Sequence, residues 1–125
     1  MRARNLLPLP LPWRGDGPPE RELTRLELVG TACEVAVVTA HLDDDLAPVS
    51  ADRQARELRD RCWEHRRMAL ELLSPDTCFD DFTEEGLLHA LEGFQARLRD
   101  VMRLRRMVDR LLRGGGDSQW APTGA

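Results

Sequence analysis

The residues of this 125-residue chain that could do chemistry fall into three groups, and each also has a purely structural reading. Cys62 and His65 are three apart, so on a helix they share a face and could both ligate zinc. A structural zinc site needs four ligands, and the other candidates, Cys33, His41, Cys78 and His89, form no second pair at motif spacing. Asp43, Asp44 and Asp45 offer oxygens to a hard cation. Consecutive carboxylates on an extended chain point alternately, however, and the spaced acids of an EF-hand loop are missing. No metal and no cofactor is expected. Arg99, Arg103, Arg106, Arg110 and Arg113 alternate spacings of four and three, which sets five guanidinium groups in one row on a helix. Such a row suits an acidic partner or a phosphate backbone. The structural reading is a solvated face, since Arg is a good helix former and cations suit the last turn of a helix.

A catalytic site needs a nucleophile, a base and an orienting acid in one pocket. The chain has three histidines and no tyrosine. Its few serines lie near element ends, and it contains no P-loop, GxGxxG, HExxH or GxSxG. The chain reads as a non-enzyme with no small-molecule substrate.

The elements that would position these groups are helices. Leu87, Leu91, Phe94, Leu98, Val101, Arg105, Val108 and Leu112 alternate spacings of four and three, the heptad spacing that keeps one seam facing a partner. Only Arg105 interrupts the apolar series. The flanking residues, among them Leu88, Ala90, Met102, Leu104 and Leu111, are largely apolar. That stripe is too wide for a two-stranded coiled coil and suits a helix covered on two sides in a bundle.

Earlier in the chain, Leu23, Leu26, Gly30, Cys33, Val37 and Ala40 form another seam at alternating spacings, built of small residues that would let a neighbouring helix approach closely. Leu28, Val35, Val38 and Leu42 occupy a second face of the same segment. A helix apolar on two sides belongs in the centre of a bundle or beneath a partner chain. A third seam, Ala55, Leu58, Cys62, His65, Ala69 and Leu72, is joined by Trp63, Leu70 and Leu73. There His65 reads as a seam histidine with a hydrogen-bond partner.

Punctuation fixes the boundaries. Pro18 and Pro19 precede a helix over about 20–42, and Asp43 to Asp45 are expected to open the loop after it. Ser50 is the expected N-cap of a helix over about 51–73, which Ser74-Pro75 stops. Thr83 is the expected N-cap of a helix over 84–113, with Phe82 packed ahead of it and Gly114 to Gly116 behind. Phe79 and Phe82 are expected to plug the bundle end. The fold is therefore all-α: a three-helix bundle, or a coiled-coil-like helical hairpin, over residues 20–113. A flexible Pro-rich arm (1–19) and a flexible tail (114–125) flank it. Trp13 is an expected anchor for the arm.

Charge and composition narrow the function. Eighteen Arg, no Lys and 22 acidic residues give a net charge of −4, with no general pull toward nucleic acid or anionic membrane. Residues 97–113 are rich in Arg, whereas 16–45 are rich in acid. The three cysteines, Cys33, Cys62 and Cys78, are an odd, widely spaced set and read as reduced thiols of a cytoplasmic or nuclear protein. No apolar run approaches the roughly 18–20 residues that span a bilayer.

These features point to a non-catalytic helical subunit that assembles with another helical chain, or with itself, in a multi-protein complex. The expected contact residues are Leu26, Cys33 and Val37 on the first helix, and Leu87, Leu91, Phe94, Leu98, Val101, Val108 and Leu112 on the last. The second reading is a small nucleic-acid-associated regulator that uses the arginine row.

Overall fold

The computed structural model describes residues 20–115, which form an all-α three-helix bundle. Helices α1 (Glu20–Leu46), α2 (Arg53–Leu72) and α3 (Glu84–Arg110) are joined by short 3-10 turns at Ala47–Val49 and Phe79–Asp81. The expected Trp13 anchor and both expected flexible ends fall largely outside the described residues.

Helix α1 runs four residues past the expected end and carries Asp43 to Asp45 within it. Two contacts outweigh the unfavourable helix dipole. Leu46 lies one turn beyond Leu42 and is fully buried, a gain of about 1.5–3 kcal/mol that by itself offsets a dipole cost of about 1–3 kcal/mol for the three acids together. Asp43 also accepts from Arg59 Nε of α2 at 2.8 Å. That bond holds the Asp43 carboxyl below the usual carboxylate range, against the opposing effect of burial.

Helix α2 starts at Arg53, not after Ser50. Asp52 is the N-cap, and its side chain accepts from the Ala55 N–H at 3.0 Å. Ser50 instead closes the preceding 3-10 turn. Helix α3 is capped as expected, with Thr83 Oγ1 accepting from the Gly86 N–H at 2.9 Å. It ends at Arg110 and passes into a π turn over Leu111–Gly115. Phe79 and Phe82 stack with ring centres 5.7 Å apart and pack, half-buried, against the core.

Helix α1 packs along both α2 and α3, which touch each other much less. It is the spine of the bundle. Its core row is Leu28, Ala32, Val35, Thr39, Leu42 and Leu46, against Ala55, Leu58, Cys62 and Ala69 of α2 and Leu87, Leu91, Phe94, Val101, Leu104 and Val108 of α3. Thr39 is the one fully buried polar side chain in this row, and its hydroxyl donates to the Val35 carbonyl at 2.7 Å. A buried hydroxyl so satisfied costs little.

The α3 seam is corrected in its second half. Arg105 is exposed, and Leu104, one residue earlier, is fully buried in its place. Leu112 is likewise 40% exposed, while Leu111 packs on the core. A bundle helix need only cover its apolar atoms, so the stripe shifts to the leucine and spares the guanidinium its desolvation. Trp63 and Leu70, expected to join the α2 seam, are exposed instead.

Candidate protein-docking face

Cys62 and His65, weighed above as a ligand pair, make different contacts within the bundle. Cys62 is buried, and burial, with a smaller push from Asp43, raises its thiol to about 11. His65 is turned toward α3, where its Nε2–H donates to Asp100 Oδ2 at 2.6 Å. Arg97 donates to its Nδ1 at 3.1 Å, which assigns the ring proton to Nε2. Asp100 also accepts from Arg103 at 2.8 Å and from Arg61 at 3.3 Å. Burial pushes the Asp100 carboxyl upward, but the bonds from His65 and Arg103 prevail and hold it below its usual value. This cluster rivets α2 to α3 where their apolar contact is thin. Among the described residues, no group of three or more His, Cys, Asp or Glu side chains could hold a metal. All three thiols are free.

The arginine row is exposed along its whole length. Of the five, Arg103 is engaged by Asp100, while Arg99, Arg106, Arg110 and Arg113 make no ion pair among the described residues. Sequence reasoning missed an open cleft of about 600 Å³ lined by Asp43, Arg56, Arg59, Trp63 and Arg66, among others. Two of its arginines are already used. Arg59 holds Asp43, and Arg56 donates to the Ser50 and Ala51 carbonyls.

The residues expected to meet a partner divide sharply. Leu87, Leu91, Phe94, Val101 and Val108 are buried in the chain's own core, and Leu98 packs against it. Their seam is intramolecular, because α1 covers it. Leu26, Cys33 and Val37 lie on the opposite side of α1 and are exposed, Leu26 by 51% and Val37 by 54%. Leu23, Leu26, Gly30, Cys33 and Val37 form one outward row, with Ala40 half-buried at its end. At 1.5 Å per residue it is about 26 Å long. Within the row, Leu23, Gly30 and Val37 take one heptad core position, and Leu26, Cys33 and Ala40 the other.

The flanks of this row are charged on one side. Glu20, Glu27 and Glu34 are spaced by seven and occupy the same flanking position in successive heptads, with His41 next in line. All are exposed, and the three glutamates make no ion pair among the described residues. On the other flank, Glu22 is paired with Arg25, and Asp43 with Arg59. Gly30 stands in the middle of the row with open space where a Cβ would be.

Compared with known proteins, the chain matches no family model, no curated protein and no solved structure. Among the described residues no helix is long and apolar enough to cross a membrane.

Proposed function

We propose that this protein is a non-catalytic helical interaction subunit, which pairs with another helical chain of a multi-protein complex through the outer face of α1. One observation carries the reading: α1 is apolar on two opposite sides, and the bundle covers only one. Exposed leucines and valines scattered singly need no explanation, but a row continuous over some five turns marks an interface. Three free thiols support a reducing, intracellular setting in the cytoplasm or nucleus. The test is a nuclease-treated pull-down of the tagged chain from its native cells beside the Leu26→Asp/Val37→Asp variant. The wild type should retain a stoichiometric helical protein that the variant loses. Equal retention by both would overturn the reading.

The exposed, largely unpaired arginines of α3 favour one second reading, a contact with nucleic-acid phosphates. Its signature is a steep loss of binding with salt, which Arg106→Glu/Arg110→Glu would abolish while leaving the fold intact, since both are exposed and neither makes an ion pair among the described residues.

A further inference from the structure

Resting on the docking role of the outer α1 face, we infer that its occupant is an amphipathic helix with Lys or Arg beside a small-residue apolar seam. Those cations would face Glu20, Glu27 and Glu34. In paired helices the positions flanking the seam meet across the interface and set partner choice and orientation. Here one flank supplies only carboxylates over three successive heptads, and none is neutralised within the described part of the chain. A partner carrying acid at the facing positions would bury like charges against each other, whereas one carrying base forms a ladder of ion pairs.

The same charges exclude a second copy of this face. In an antiparallel pair the Glu20, Glu27 and Glu34 flank meets itself. In a parallel pair it meets the flank of Glu22, Val29, Ala36 and Asp43, and Glu22 faces Glu27. Neither arrangement sets an arginine against the glutamates, and His41 is the one basic side chain an antiparallel copy could bring, to Glu20 alone.

Gly30 points the same way. A helix-interior glycine is less stable than alanine there, and no neighbour in the bundle requires it, since its Cβ position is open. At the centre of the row, glycine lets a second backbone approach closely.

The experiment titrates the full-length chain against two labelled synthetic helices that share an Ala/Leu seam and differ only in flanking Lys or Glu, read by fluorescence anisotropy. The Lys helix should bind at least about tenfold more tightly. Added salt and Glu27→Gln/Glu34→Gln should shrink that preference. Gly30→Ala should raise the melting temperature of the free chain by a few degrees yet weaken binding of the Lys helix. Equal binding of both helices, or preference for the Glu helix, overturns the charge inference while leaving the docking role standing. Binding of neither helix, with native-partner capture unaffected by Val37→Asp, overturns both. Self-association in sedimentation that Val37→Asp removes would make a second copy the occupant and overturn the inference.

Discussion

Val35 and Val37 stand two residues apart on α1 and face opposite ways: Val35 is fully buried, and Val37 is 54% exposed. The same residue type serves two surfaces. Val35→Asp puts an uncompensated charge into the core and should unfold the chain. Val37→Asp should leave the melting temperature unchanged or slightly raised, since it replaces exposed apolar surface, while abolishing partner capture. Paired thermal melts and pull-downs check both halves.

Leu104 and Arg105 give a second contrast. Leu104→Ala removes a fully buried side chain and should cost about 2–5 kcal/mol in denaturant unfolding. Arg105→Ala should leave the midpoint unchanged, since its side chain is exposed.

The Asp100 cluster makes stability depend on acid. Its carboxyl titrates below the ordinary value of 3.8 in the folded chain, so its contribution is complete above that value. It is lost as pH falls through the lower folded value. Asp43, also lowered by its partner Arg59, adds to the same acid limb. Asp100→Asn should cost about 1–3 kcal/mol at neutral pH, because His65 and two arginines lose a charged acceptor. The variant should also flatten the loss of stability between pH 4 and the acid extreme. Urea titrations across pH measure both effects.

Periodicity and punctuation made the three helices legible. Thr83 and the Ser74-Pro75 stop act locally, so they can be read without knowing the fold. The boundaries that shifted depend on distant residues. Asp43 to Asp45 stay helical because Arg59, sixteen residues on from Asp43, meets that carboxylate and because Leu46 finds a core. Spacing alone also could not assign the two apolar faces of α1. Leu28 and Leu26 sit on equally regular rows, and only the packing of α2 and α3 decides which one is buried. For that reason the α3 seam, the most regular in the chain, proved intramolecular, while the less conspicuous row on α1 is left uncovered by the described residues.

Cys33 lies within the uncovered row, Cys78 lies outside it between α2 and α3, and both are exposed. Cys62 is buried, with its thiol raised to about 11. The alkylation rates of these three thiols, measured by mass spectrometry in the free chain and in the complex purified from native cells, test the docking face without altering a residue. Cys33 and Cys78 should react in the free chain and Cys62 should not. In the complex Cys33 should become protected while Cys78 keeps its rate. A Cys33 that reacts equally fast in both states would place the partner elsewhere and contradict the account.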